Sequence, residues 1–188
     1  VSVAGVLLAA GGGRRFGMPK ALVEHRGRLL VEHAAAVLRD GGCEPVVVVL
    51  GAQAAEVRSR AALGDAVLVD NPDWASGMGS SFRVGLAALT AVDVTAAVVV
   101  PVDTPGLTAA AVRRVASLVT TETLVRAVYD GEPGHPVALG RAHWAGAVAG
   151  ATGDKGAREY LRDHDVINVD CADVAIGADA DRPEDLPT

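Results

Sequence analysis

Apolar residues are arranged along this chain in two ways. Unbroken runs at Ala4–Ala10, Pro45–Leu50 and Ala96–Val102 read as strands buried on both faces. Between and after them, apolar residues three and four apart predict helices over Leu29–Arg39, Ala54–Leu63, Ser81–Leu89, Thr108–Val119, Arg141–Val148 and Lys155–Asp163. Gly41-Gly42 supplies a stop signal after the first of these. Shorter strands are expected at Ala66–Val69, Thr123–Tyr129, Pro136–Leu139 and Val166–Asp170, with a Gly/Pro turn at Asp130–His135 between the second and third. The polar segment from Asp179 to Thr188 begins at most a short helix, with Pro183 at its first position.

Strands alternating with helices predict a mainly parallel sheet covered on both faces, a three-layer α/β/α sandwich with one antiparallel strand. At 188 residues, with no repeat or internal linker, the chain reads as a single domain over 1–188. Half of it is hydrophobic and only 3% aromatic, so the core must be Val, Leu and Ala.

Composition then removes whole classes of function. No apolar run approaches a membrane span, and the first residues lack a basic secretory segment. Cys43 and Cys171 are too few for a disulfide framework and lack metal-ligand spacing. A cytoplasmic protein with no membrane partner is therefore expected. The net charge of −6 and the absence of a basic stripe argue against a nucleic-acid partner. Of the 17 cationic residues only Lys20 and Lys155 are lysine, and both lie beside glycines. A compact ammonium on a flexible stem suits a phosphate as a point charge.

In open α/β sheets, ligands bind beyond the carboxyl ends of the strands. The first strand runs into Leu8-Ala-Ala-Gly-Gly-Gly-Arg-Arg-Phe-Gly-Met-Pro-Lys20. Bare backbone at Gly11, Gly12 and Gly13 can wrap an anion, and Arg14, Arg15 and Lys20 add positive charge. It is not a P-loop, because Met18 follows Gly17 where Lys-Ser/Thr is required, nor a dinucleotide fingerprint, because Phe16 stands where Gly is needed. Asn71-Pro-Asp-Trp-Ala-Ser-Gly-Met-Gly-Ser80 leads to Ser81, and Gly77, Gly79, Ser80 and Ser81 either hold a base or phosphate or simply cap a helix. The strand at Ala96–Val102 delivers Asp103, a carboxylate for a metal such as Mg²⁺ or for turn amides before Pro105. His135, in Pro133-Gly-His-Pro136, either donates to a phosphate or braces the turn. Lys155 and Arg158 are placed near a helix start, a plausible anion site.

Together these pieces resemble the molybdopterin-dinucleotide nucleotidyltransferases, and within them the cytidylyltransferase branch. The elements are Leu8–Lys20, Asn-Pro-Asp-Trp-Ala-Ser-Gly with Ser81, Asp103-x-Pro, Pro-Gly-His-Pro, Gly-Asp-Lys-Gly and Asp-x-Asp-x-Pro-Glu-Asp, in family order from residue 8 to 186. Val102, Thr104 and Arg182 depart from the family pattern. The resemblance implies a Rossmann-like fold of the nucleotide-diphospho-sugar transferase type. It implies a Mg²⁺-dependent transfer of CMP from CTP to the phosphate of molybdopterin or molybdenum cofactor, with release of pyrophosphate. A recipient molybdoenzyme would be a further partner. The alternatives are GTP as donor, a sugar or polyol phosphate as acceptor, and a non-catalytic cofactor carrier. By resemblance, Arg15, Lys20 and Asp103 are catalytic, and Leu8, Ala9, Ala10, Gly11, Gly12, Gly13, Lys20, Gly79, Ser80 and Ser81 bind the nucleotide. Asp103 and Asp181 (Asp179 as the alternative) hold the metal, and His135 and Lys155 bind the acceptor.

Overall fold

The computed structural model describes residues 2–188. β1 (Val3–Ala9) is followed by a 3-10 turn at Lys20–Leu22, the two-residue strands β2 (Glu24–His25) and β3 (Arg28–Leu29), and α1 (Leu30–Asp40). Then come β4 (Val46–Leu50), α2 (Ala54–Arg60), β5 (Val67–Asp70), α3 (Met78–Ala87), β6 (Ala96–Pro101) and α4 (Ala109–Ala116). The chain continues through β7 (Leu124–Tyr129), β8 (Glu132–Gly140), α5 (Trp144–Gly150), α6 (Arg158–Arg162) and β9 (Ile167–Asp170). Seven strands form one sheet in the order β5-β4-β1-β6-β8-β7-β9. All its pairings are parallel except those of β8, which runs antiparallel to both β6 and β7. The expected mainly parallel sheet with one antiparallel strand is what forms.

The alternation of β1 divides the core. Val3, Leu7 and Ala9 face the side covered by α1 and α4, while Ala4, Val6 and Leu8 face α3 and α5. Each fully buried Val or Leu contributes about 1.5–3 kcal/mol by leaving water, so a sheet this rich in them needs few aromatics. Gly85 lets α3 approach the sheet closely, since a Cβ there would lie 2.5 Å from Val6 Cγ1. The start of α1 is tied by Glu32: Oε1 accepts from the Leu29 N–H (2.7 Å) and Oε2 from the Ala62 N–H beyond α2 (2.8 Å).

Several boundaries differ from expectation for identifiable reasons. α3 begins at Met78, because Gly77 (φ 117°, ψ 179°) is the residue outside the helix; Ser80 and Ser81 therefore lie inside the first turn and do not cap it. α6 begins at Arg158, since Gly153 and Gly156 take positive φ (53° and 52°), leaving Lys155 before the helix. The tight turn between β7 and β8 is Asp130-Gly131, both at positive φ, so Pro133-Gly-His-Pro136 belongs to β8 and not to the turn. Prolines are tolerated there because β6 pairs with β8 only from Val137 to Gly140. The β2–β3 ribbon, turning at Arg26-Gly27, was not expected.

Candidate active site

Beyond the carboxyl ends of β1, β5 and β6 lies a cavity of about 640 Å³. The Gly-rich loop forms one wall, with Gly11, Gly12, Gly13, Arg14, Arg15 and Lys20 all lining it. The loop closes on itself: Gly17 N–H donates to Gly13 O (2.8 Å), and a Cβ on Gly13 (φ 64°) would lie 1.8 Å from Met18 O. No other residue fits that position without moving backbone. Gly12 meets Trp74, whose ring would lie 3.1 Å from an added Cβ, so the loop and the aromatic wall are in direct contact.

At the charged end, Lys20 Nζ lies 3.3 Å from Asp103 Oδ2 and 3.1 Å from Asp181 Oδ1, with the Lys20 and Asp103 side chains only 16% and 19% exposed. Arg15 Nη1 is 3.5 Å from Asp181 Oδ2. Lysine and carboxylates far apart in sequence thus meet, as the motifs implied. The C-terminal tail is pinned for this purpose. Thr108 Oγ1 donates to Val174 O (2.9 Å), Ile176 N–H to Gly106 O (3.1 Å), and Ala180 N–H to Asp103 O (2.8 Å). Gly106 is required at that crossing, because a Cβ would fall 2.7 Å from Ile176.

One oxygen here is left over. Asp103 Oδ1 is buried without a hydrogen-bond partner, a costly state for a carboxylate oxygen unless a ligand completes it. Asp179 adds to the negative charge. Burial, and then the charges of Asp103 and Asp181, push its carboxyl up to about 6. Asp181 moves the opposite way, held below the usual carboxylate range by its hydrogen bond from Lys20. Among the described residues no group of three or more His, Cys, Asp or Glu side chains forms a ready metal cage. The donor set instead suits a hard cation shared between one or two carboxylates and the phosphates of a ligand.

The opposite end is neutral. Leu8, Ala10, Trp74, Gly77, Met78 and Ser81 line it, with the carboxylate of Asp154 at its rim. Buried Asn71, just past β5, donates to Ser80 Oγ (2.8 Å) and Ser81 Oγ (2.9 Å). Trp74 and Asp154 were quoted from the sequence only inside longer motifs, and neither they nor Met78 were given a role in the site. Trp74 had a signal, being one of two tryptophans in a chain with almost no aromatics.

Not every expected residue reaches the cavity. Ala9 is within β1 and does not line it. Gly79 directs its N–H to Gly153 O (2.7 Å), and Ser80 directs its hydroxyl to Gly77 O (2.9 Å) or Asp73 O (3.1 Å). Lys155 is exposed and paired with Glu159 at 2.5 Å. His135 is half-buried in β8, its pKa lowered by burial although the Asp103 charge opposes this. Tyr129 donates to its backbone carbonyl (2.6 Å).

Among the described residues no helix is long and apolar enough to cross a membrane. Residues 5–168 match the MobA-like NTP transferase domain. The chain is 41% identical over 194 residues to nicotine blue oxidoreductase of Paenarthrobacter nicotinovorans, covering 98% of this chain and 94% of that protein. It is 32% identical over 148 residues to the molybdenum cofactor guanylyltransferase of Rhodobacter capsulatus, covering 78% and 67%. Among solved structures it is similar to the Rv0371c homolog from Mycobacterium sp. strain JC1, with 31% identity and a TM-score of 0.83 over 97% of this chain and 92% of that one. It is also similar to Rv0371c of Mycobacterium tuberculosis H37Rv in complex with manganese, with 27% identity and a TM-score of 0.78 over 100% and 94%. By the match over residues 5–168 the chain belongs to the MobA-like NTP transferase domain family.

Proposed function

We propose that the protein transfers CMP from CTP to the phosphate of molybdopterin or its molybdenum-bearing form, in a Mg²⁺-dependent reaction that releases pyrophosphate. The observation that carries this reading is the convergence of the Gly-rich loop, Lys20, Asp103 and Asp181 at one end of a single cavity. A phosphate oxygen of the acceptor attacks the α-phosphorus of the nucleotide, and the bond from that phosphorus to the β-phosphate bridging oxygen breaks. The acceptor phosphate is mostly dianionic at pH 7, so no strong general base is required. Positioning and charge neutralisation carry the rate.

The loop amides of Gly11–Gly13, with Arg15 and Lys20, hold the triphosphate. Asp103, through its unpartnered Oδ1, and Asp181 would hold Mg²⁺, with Asp179 as the alternative to Asp181. The cation neutralises charge on the phosphates when bound. Leu8, Ala10 and Ser81 take the base end of the nucleotide. His135 and Lys155 are the candidates for the acceptor phosphate, and Lys155 would first have to leave Glu159.

The Rhodobacter capsulatus relative supports a molybdenum-cofactor acceptor and names guanylyl transfer. The preference for CTP rests on the Asn71-Pro-Asp-Trp and Pro-Gly-His-Pro elements alone. Product would pass to a recipient molybdoenzyme. Pyrophosphate release from each NTP, with and without molybdopterin, tests the proposal; release that ignores the acceptor would overturn it.

A second reading comes from the Paenarthrobacter relative, named an oxidoreductase and matched over nearly its whole length. The same cavity would then bind a redox nucleotide and a nicotine-blue-like dye. Bleaching of nicotine blue by a reduced nicotinamide nucleotide, with no pyrophosphate formed from any NTP, would favour it.

A further inference from the structure

We propose that Asn71 is a positioning residue that fixes which way the Ser81 hydroxyl presents its proton, and so selects a nucleobase with a ring carbonyl facing Ser81. The inference rests on the reading of the cavity as a nucleotide site and adds a rule for its base end.

Asn71 is 2% exposed and leaves β5 with its own N–H bonded to Leu50 O (2.7 Å). Its side-chain orientation is forced by chemistry. The Asp73 backbone N–H, 3.0 Å away, can only donate, so the atom facing it must be Oδ1. The two amide protons of Nδ2 therefore point toward Ser80 Oγ (2.8 Å) and Ser81 Oγ (2.9 Å), and both are used.

The two serines differ in what remains. Ser80 accepts from Asn71 and has backbone acceptors for its single proton in Gly77 O and Asp73 O, so it is complete. Ser81 accepts from Asn71, is 4% exposed, lines the cavity, and has no acceptor for its proton among the described residues. With Asn71 donating from behind, the Ser81 proton has only the cavity to go to, and a ligand that offers it no acceptor leaves it buried and unpaired. A cavity that offers a donor at this point favours a carbonyl oxygen and disfavours an amino group. Cytosine, uracil and guanine each carry a ring carbonyl. Adenine carries none.

Asn71→Asp keeps the shape and removes both N–H donors. The Ser81 proton then has an acceptor behind it, and its lone pairs turn to the cavity. Measured by equilibrium binding of CTP, GTP, UTP and ATP, the wild type is expected to favour at least one carbonyl-bearing nucleotide over ATP. In Asn71→Asp that preference should fall about tenfold, with part of the change coming from tighter ATP binding. Ser81→Ala should weaken the preferred nucleotide without improving ATP. Asn71→Asp placed on Ser81→Ala should leave the ratio where Ser81→Ala put it. Thermal unfolding of each variant is followed alongside, because a merely structural role for Asn71 would weaken all four nucleotides equally. An unchanged ratio in Asn71→Asp overturns the inference and leaves the nucleotide site standing. Should that variant not fold, an unchanged ratio in Ser81→Ala does the same. Absence of binding by any NTP to the wild type overturns both.

Discussion

At one end of the cavity Asn71 gives both of its amide protons and receives one hydrogen bond, all within 3.0 Å. At the other, Asp103 keeps a buried oxygen with no partner, while Lys20 is stretched between two carboxylates and Arg15 reaches Asp181 only at 3.5 Å. The neutral end is braced without a ligand and leaves only the Ser81 proton to the cavity. The charged end is held together by its own opposite charges in the positions that phosphate and cation would share. The difference separates two jobs: substitutions among the charges should change turnover, and substitutions behind Ser81 should change what is chosen.

The strongest test of this division is Asp103→Asn. It keeps size and removes one charge from the proposed triphosphate site, so turnover should fall on the order of a hundredfold or more. Thermal unfolding should shift little, because Lys20 retains Asp181 as a partner. Asp181→Asn should lose less than Asp103→Asn if Asp179 substitutes, and the double change should match Asp103→Asn alone. Full activity with early unfolding in either single variant would reverse the comparison and make the charged end structural.

Lys20→Arg comes next. The planar fork cannot sit between Asp103 and Asp181 as a point charge does, and turnover should fall about tenfold, while Arg39→Lys on the exposed end of α1 changes nothing. Competition between CTP and GTP in one assay then sharpens the neutral end: a preference for CTP of at least about tenfold is expected, roughly 1.4 kcal/mol of differential transition-state binding. Equal use would remove the cytidylyltransferase assignment and keep the family.

The smallest effect is on stability. The Asp179 carboxyl is raised to about 6 by burial and by Asp103 and Asp181, so the fold favours its protonated form. Its ionisation opposes folding, and the penalty is absent below about pH 4, grows as pH rises, and is complete above about pH 6. Asp179→Asn should therefore raise the unfolding midpoint of metal-free protein by a few degrees at pH 8 and leave it unchanged at pH 3.5. A gain at pH 3.5 as well would mean that packing, not charge, is responsible.

The strands were legible because Val-rich runs such as Val46–Leu50 carry their burial in their composition. The β2–β3 ribbon was not, since two-residue strands are too short to show a period. That Gly11–Gly13, Lys20 and Asp103 would gather beyond the strand ends was legible from the motifs, and that Asp181 would join them was legible from the family resemblance. Asn71 was visible only as part of a longer element, because its role depends on two serines nine and ten positions later in a helix whose start was misplaced. His135 was misread as a turn residue because its flanking prolines disfavour a strand interior; what admits them is that the β6–β8 pairing stops at Val99 and Val137, a property of the partner strand. The pairing of Lys155 with Glu159 was readable from their spacing of four, a signal that competed with the pull of the neighbouring glycines.

The three hydrogen bonds that pin the tail, at Val174, Ile176 and Ala180, all fall after residue 168, where the family match ends. Half of the carboxylate pair thus sits on a strap outside the span by which the chain is recognised. For anyone handling the protein this has a practical side. An affinity tag or fusion partner joined after Thr188 would hang a few residues from Asp181 and beside Arg26, which donates to the Thr188 carbonyl. The start of β1 lies at the other end of that strand from the Gly-rich loop.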